Sequence, residues 1–351
     1  MAKRVTQSDV ARLAGVSRAT VSNVVTGHTG GSVQITEETR RRVLAAIAQL
    51  GYQPHAAARS LRSGRTDTIA LLIPDGRNPH WWAIVRGVEA VAREHGCQLV
   101  LSISGQEAER ERRSLRALAE QRFDGLILIL TYPGRLADEL DALRLQGSPI
   151  VTFGHELPGK DLVTQDYGPG TCELMDHLMK LGHTRIGFIH GVARAGLGAD
   201  RLFAYRRALR AAGLPYEKAL IAQCGPDPDD GACAARRLLD LSPRPTAILG
   251  VNDLMAMGAL QAAYERGLAV PADLSVAGFD DMDFAEHLTP PLTTVRAHGE
   301  EIGRQAAALL FARLADPDRP PQRVAIPTEL VIRNSTGVGP DSFGPATGRA
   351  E

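Results

Sequence analysis

Two sets of side chains in this sequence can do chemistry, and they lie far apart along the chain. The first is the run Arg18-Ala19-Thr20-Val21-Ser22-Asn23. At helical spacing Val21, Val24 and Val25 share one apolar face, which leaves Arg18, Ala19, Thr20, Ser22 and Asn23 to face outward. Small hydroxyl residues allow close approach to phosphates, and an Arg or Asn near the start of such a helix can reach base edges in a major groove. The second set is dispersed: Asn78, Arg201, Asn252, Asp253 and Asp280. Short amides and carboxylates bond to sugar hydroxyls, and the planar fork of Arg suits vicinal hydroxyls or a carboxylate. Trp81 and Trp82 are the only two tryptophans. An indole face can cover the C–H face of a pyranose ring, and one of the pair is expected to pack helix against sheet instead.

Catalytic patterns are missing. There is no Gly-x-x-x-x-Gly-Lys-Ser/Thr loop and no Gly-x-Ser-x-Gly elbow, which argues against a P-loop ATPase and a serine hydrolase. Gly191, Gly196 and Gly198 lack the spacing of a dinucleotide fingerprint, and Asp280-Asp281-x-Asp283 lacks the glycine and distal Glu of a calcium loop. His177 and His183 read as a helix-surface and a turn residue rather than metal ligands. Cys97, Cys172, Cys224 and Cys233 form neither a paired framework nor a Cys-x-x-Cys spacing. The expectation is no enzyme, no cofactor and no metal.

The elements that must position these residues divide the chain. Its 351 residues carry 40 basic and 40 acidic side chains, yet residues 1–62 hold nine basic residues against three acids. A basic head on an acidic body suggests a polyanion-binding module joined to something else. In the head, Thr6-Gln7-Ser8-Asp9 has the form of a capping box, followed by Val10, Leu13 and Ala14 on one helical face and a stop at Gly15. Ser17 caps a second helix a few residues later, the spacing of a helix-turn-helix. Thr36 caps a third, with Val43, Ile47 and Leu50 as its core stripe and Gly51 at its end. Residues 54–64 are Ala-rich and basic, and too short to be a stable helix alone.

In the body, apolar runs at Thr68–Ile73, Gln98–Ile103, Asp124–Leu130, Pro149–Phe153, Arg185–Ile189, Thr246–Val251 and Leu274–Gly278 read as strands. Helical patterns such as Trp82–His95, Glu107–Gln121, Gly170–Leu181 and Arg201–Ala212 separate them. Near-continuous strands alternating with helices predict two doubly wound parallel sheets flanking a crevice, with ligands beyond the carboxyl ends of the strands. The longest apolar run, residues 125–130, cannot span a bilayer, and the N-terminus has no signal-peptide core. A cytoplasmic protein without membrane contact is expected.

The run from Val5 to Val25 resembles the helix-turn-helix of the LacI/GalR family of bacterial repressors. The resemblance implies that Arg18, Ala19 and Asn23 read bases and that Ser17, Thr20 and Ser22 hold phosphates, with Thr6 and Ser8 on the same DNA-binding face. Asn23 stands where the family most often has Arg, and the Gly27-to-Gln34 loop is a few residues longer than usual. Residues 54–64 resemble the family's hinge helix, in which Ala58 faces DNA and Leu61 wedges into the minor groove. The body resembles the family's core, similar to periplasmic sugar-binding proteins, at residues 73–79, 181–186, 201–205, 251–253 and 276–281. That match places Asn78, Trp81, Arg201, Asn252 and Asp280 around an effector. It leaves Asp253 either at the ligand or capping the following helix. Gly154 stands where some members carry an acid, which either removes a ligand contact or shifts it to His155.

The resulting expectation is an α/β protein: a helix-turn-helix domain (1–52), a hinge (53–65), a core of two periplasmic-binding-protein-type subdomains (66–334) and a disordered tail (335–351). The subdomains are expected at 66–166 with 297–322, and at 167–296 with 323–334. The partners implied are an approximately palindromic double-stranded operator, a small sugar-like effector and a second copy of the chain. No heptad segment for tetramers follows the core. The rival readings are a solute-binding protein or an enzyme on the same scaffold.

Overall fold

The structure, a computed structural model, describes residues 5–26, 35–52, 65–145, 147–190, 198–225 and 227–339. It divides after Asp67 into two units. The expected hinge helix with Ala58 and Leu61, and the Gly27-to-Gln34 loop, lie outside the described residues.

In the first unit, α1 (Gln7–Ala14), α2 (Arg18–Thr26) and α3 (Glu37–Leu50) each start on a side-chain cap. The Thr6 hydroxyl accepts from the Asp9 N–H at 3.4 Å while the Asp9 carboxylate accepts from the Thr6 N–H at 3.0 Å, closing the expected capping box. Ser17 Oγ accepts from the Thr20 N–H at 3.1 Å, and Thr36 Oγ1 from the Thr39 N–H at 3.3 Å. Gly15 and Gly51 end α1 and α3 with φ of 64° and 61°, a region that favours glycine. The core joins Val10, Ala11 and Ala14 to Val21, Val24, Val43, Ala46 and Tyr52. Leu13 does not belong to it: the side chain is 46% exposed. Because α1 packs on both α2 and α3, its buried stripe turns toward Ala11 and leaves Leu13 on the far side.

The second unit holds two six-stranded sheets. The first begins with β1 (Thr68–Ile73), β2 (Gln98–Ile103), β3 (Gly125–Ile129), β4 (Ile150–Phe153) and β5 (Asp161–Asp166), joined through α4 (Pro79–Glu94), α5 (Ala108–Glu120) and α6 (Ala137–Leu145). The chain then crosses into α7 (Tyr167–Lys180), β6 (Ile186–His190), α8 (Ala199–Ala211), β7 (Ile221–Gln223), α9 (Pro228–Leu239), β8 (Ala247–Gly250), α10 (Asp253–Glu265), β9 (Ser275–Asp280) and β10 (Thr293–Arg296). It returns to the first sheet as α11 (Gly299–Ala315) and β11 (Arg323–Pro327), and ends in the second as β12 (Glu329–Val331). The orders are β11-β5-β4-β3-β1-β2 and β12-β10-β9-β8-β6-β7, parallel except for β12. All seven expected strands are present. The central ones are buried along their length apart from Thr68 at the start of β1, as apolar runs in parallel sheets should be. The edge strand β2 instead leaves Val100 and Ile103 exposed. Gly87 of α4 and Gly303 of α11 let these two helices touch through their backbones, since a Cβ on Gly87 would stand 2.0 Å from the Glu300 carbonyl oxygen.

Two boundaries differ from expectation. Residues 323–327 belong to the first half rather than the second: β11 pairs parallel with β5, Val324 opposite Val163, and only β12 joins the second sheet. The tail does not begin at 335 either. Ser335 is fully buried, its hydroxyl accepting from the Thr293 N–H at 2.8 Å and donating to the Val276 carbonyl at 2.6 Å. His183, itself buried, bonds to the Gly337 carbonyl, which holds the segment down to Gly339. Among the described residues, no helix is long and apolar enough to cross a membrane.

Candidate DNA-reading face and ligand crevice

On the first unit, Arg18, Ala19 and Asn23 of α2 are exposed, as are Ser17 just before it and Thr6 and Ser8 at the start of α1. Thr20 is half-buried, its hydroxyl 2.9 Å from that of Ser17. Ser22 departs from the expected outward face at 8% exposure, turned in with Val21 and Val24. The bundle closes over more of α2 than its three valines. The open face therefore carries one guanidinium, one primary amide and several small hydroxyls, a set that can donate to base edges and phosphates at close range.

In the second unit, the carboxyl ends of the central strands converge on Asp280, the last residue of β9. Its Oδ1 accepts from the Tyr167 hydroxyl at 2.9 Å and from Arg201 at 3.1 Å, and His80 Nδ1 lies 4.0 Å away. Tyr167 starts α7 directly after β5, Arg201 lies in the first turn of α8, and His80 in the first turn of α4. The Arg201 guanidinium also bonds the Val251 carbonyl at 2.8 Å and lies over the Tyr167 ring at 3.6 Å from its centroid. Four elements from both halves thus meet in one buried polar cluster.

The electrostatics follow from burial and from one ion pair. Burial pushes the His80 imidazole below its ordinary value, partly opposed by Asp280. His190, at the end of β6, is lowered by burial and then by Arg201. Burial drives the Tyr167 hydroxyl well up. Burial opposes the charge on Arg201, but its neighbours Tyr167, Asp280 and Asp200 outweigh that and raise its proton affinity. The cluster accordingly holds one cation, one anion and neutral rings. Several buried polar atoms lack a partner: Arg201 Nε, Trp81 Nε1 and His190 Nδ1. A cleft of about 410 Å³, which His80 and Asp280 line but these three residues do not, opens between His80 and Ala83 of α4, the Asp280–Asp283 turn and the start of α11.

Both expected asparagines are helix N-caps. Asn78 Oδ1 accepts from the His80 N–H at 2.9 Å and Asn252 Oδ1 from the Met255 N–H at 3.0 Å, so each amide oxygen is committed to capping. Asp253 neither caps nor reaches out; it is fully buried and bonded to Met282 and Thr294. Trp81 has its ring in the apolar cluster between α4 and the first sheet, with its edge toward His80 at 4.9 Å between centroids, whereas Trp82 is 39% exposed and donates to the Gly76 carbonyl. Of the pair, Trp81 therefore takes the packing role, and it presents its unpartnered Nε1 rather than an open ring face. His155, at the end of β4, keeps a buried Nε2 without a partner while its ring bonds the Leu130 backbone. Sequence reasoning missed Tyr167, His80 and His190. Recognising β5 as a strand would have put Tyr167 at a strand's carboxyl end.

Known proteins share this architecture. Residues 6–55 match the model of bacterial regulatory proteins, lacI family, and residues 175–336 that of the periplasmic binding protein-like domain. The HTH-type transcriptional regulator CelR of Thermobifida fusca is 37% identical over 343 residues, 95% of this chain and 98% of that protein. A solved CelR–cellobiose complex matches at a TM-score of 0.71 and 36% identity, covering 95% of this chain and 100% of that one. The ribose operon repressor of Escherichia coli (strain K12) is 36% identical over 342 residues, 94% of this chain and 99% of that protein. A lac repressor dimer bound to operator and the anti-inducer ONPF matches at a TM-score of 0.84 and 27% identity, covering 95% of this chain and 100% of that one. With identity sustained from the capped helices of the head to the last strand of the second sheet, the chain belongs to the lacI family of bacterial regulatory proteins.

Proposed function

We propose that this chain is a sugar-responsive transcriptional repressor that binds an approximately palindromic operator as a homodimer in the cytoplasm, and that it is a regulator rather than an enzyme. Arg18, Ala19 and Asn23 read base edges, while Ser17, Thr20, Thr6 and Ser8 hold the backbone. Ala58 and Leu61 of the hinge enter the minor groove. The effector lies in the crevice against Arg201 and Asp280, with the Nδ2 groups of Asn78 and Asn252 and Trp81 Nε1 as further donors. The observation that carries this reading is the Arg201–Asp280–Tyr167 cluster of the second half, approached by His80 of the first half at 4.0 Å and accompanied by unpartnered buried polar atoms. A sugar supplies matching hydroxyls to such a set. CelR binding cellobiose and a ribose operon repressor among the relatives support the ligand class. An effector acts by its different affinity for two closures of the core, and the coupling is reciprocal.

The test is operator binding by gel shift across a panel of mono- and disaccharides that includes cellobiose and ribose, with wild type and Arg201→Lys. Lysine keeps the charge toward Asp280 but loses the fork and the ring stack. One sugar should shift wild-type operator affinity and fail, or need at least tenfold more, with Arg201→Lys. The effector assignment is wrong if no sugar alters operator binding, or if the lysine variant responds as wild type does.

A further inference from the structure

Asp280 and the residue after it both hold left-handed backbone, with φ of 99° and 52°, a conformation that costs energy for side chains larger than glycine. Something must hold that turn. Asp281 is tied outward by Arg296 and Arg333, each at 2.7 Å. From beneath, Asp253 accepts from the Met282 N–H at 2.8 Å with Oδ2 and from the Thr294 hydroxyl at 2.6 Å with Oδ1. Thr294 Oγ1 in turn receives the Asp281 N–H at 3.4 Å. One oxygen of this fully buried carboxyl is thereby spent on Met282, and the other holds Thr294, through whose hydroxyl it reaches Asp281. Gly278 permits the arrangement: a Cβ there would stand 2.2 Å from Asp253 Oδ1.

We propose that Asp253 is the positioning residue for the crevice carboxylate, clamping the strained turn so that Asp280 meets Arg201 and Tyr167. The consequence for ligand binding rests on the effector reading of the crevice; the clamp itself does not. Sequence reasoning offered two roles for Asp253, ligand contact or helix cap, and the geometry provides this third one. Asp253 is the first residue of α10, whose cap is Asn252, so its carboxylate is free to point under the neighbouring strand end. A clamp of this kind fixes where the single anion of the cluster stands, and hence which hydroxyl geometry a ligand must offer.

The position of Asp280 can be read without any ligand. Trp82→Phe leaves Trp81 as the sole indole, edge-on to His80. A protonated imidazole beside an indole quenches its emission, so fluorescence of the full-length chain against pH follows His80. Its proton affinity answers to burial, to Asp280 and to Arg201, while His298, Glu300 and Glu301 line the cleft on its other side. In this background, Asp253→Asn and Gly278→Ala attack the clamp from opposite sides. Each should move the midpoint by about half a pH unit or more, a threefold change in proton affinity. Thr294→Val should do the same and Thr294→Ser should not. An unchanged midpoint in folded Asp253→Asn and Gly278→Ala chains overturns the clamp. If those two fail to fold, the Thr294 pair decides it: a midpoint unmoved by Thr294→Val overturns it as well. This titration can fail while Arg201→Lys still abolishes the sugar response, and the reverse also holds, so the clamp and the effector site are judged separately.

Discussion

The Arg201–Asp280 pair should behave as one thermodynamic unit, and the structure fixes the scale. Both side chains are nearly out of water, at 12% and 4% exposure. Arg201→Met keeps most of the stem volume but leaves a buried carboxylate held by the Tyr167 hydroxyl alone. Removing one member of a buried pair costs about 3–5 kcal/mol, because the remaining charge stays uncompensated. Asp280→Asn is milder, since its oxygen can still accept from Tyr167 and Arg201. Its bond to Arg201 weakens but stays charge-assisted from the guanidinium side, and Arg201 loses its counter-charge, so the cost should approach that of Arg201→Met, at about 3 kcal/mol. In the double variant neither charge remains, so the loss should fall short of the sum of the singles by about 1.5–3 kcal/mol. The assay is urea unfolding of the full-length chain followed by tryptophan fluorescence. Both tryptophans lie in the second unit, so the signal reports that unit only. For a unit of this size Arg201→Met should lower Tm by roughly 10 °C. Singles that add within about 0.5 kcal/mol would refute the pairing, and with it the account of Arg201 as the cation that neutralises the crevice.

Arg18→Ala should narrow the gap between operator and random DNA by about 1–3 kcal/mol in salt-matched gel shifts, whereas Thr20→Ala should weaken both alike; parallel losses for Arg18→Ala would make it a phosphate contact. Leu61→Ala should cost a few kcal/mol of operator affinity with the sugar response of the core unaltered, and wild-type operator binding would dismiss the wedge. Ser335→Ala strands the Thr293 N–H and the Val276 carbonyl and should destabilise the core by about 1–3 kcal/mol in the same unfolding assay, against no change on deleting residues 340–351. Stability should also fall in acid. His80, His155, His177 and His190 are all lowered by burial, so the unfolded chain takes up protons near pH 6.5 that the folded one refuses. Tm should drop from pH 7 to 5.5, less steeply than the histidines alone dictate, because the raised Asp253 acts in the opposite sense; a rising Tm would contradict the sign.

Much of the fold was legible because its signals are local. Caps at Thr6, Ser17 and Thr36 declare helix starts within three residues, and buried parallel strands show as continuous apolar runs. What escaped depends on partners distant in sequence. β5 and β11 are poor in apolar side chains at their ends and exist because they pair with each other, with Arg313 reaching Asp161 at 3.0 Å to tie α11 to β5. β12 has three residues and only β10 for a neighbour. Leu13 and Ser22 were misread for a related reason. Periodicity fixes which residues share a face, but the width of the buried face depends on how many helices pack against it.

The candidate site shows the same division at finer scale. Residue types announced a hydroxyl-binding crevice, but types do not say which atom remains available after folding. Asn78 and Asn252 give their oxygens to the backbone of α4 and α10, and that is also why their amide nitrogens stand in fixed positions. Arg201 spends two nitrogens on Asp280 and Val251 and keeps Nε. Asp253 spends one oxygen on Met282 of the turn that carries Asp280 and the other on Thr294 of β10. Folding thus turns these five polar side chains into a small set of oriented donors around one acceptor. A ligand that accepts from the donors and donates to Asp280 meets them without further rearrangement of the strand ends, and that preorganisation favours binding. Because those ends belong to two sheets joined by three crossings, a ligand held as proposed would bind both halves at once. On that reading, its preference for one degree of closure would follow from where the donors stand.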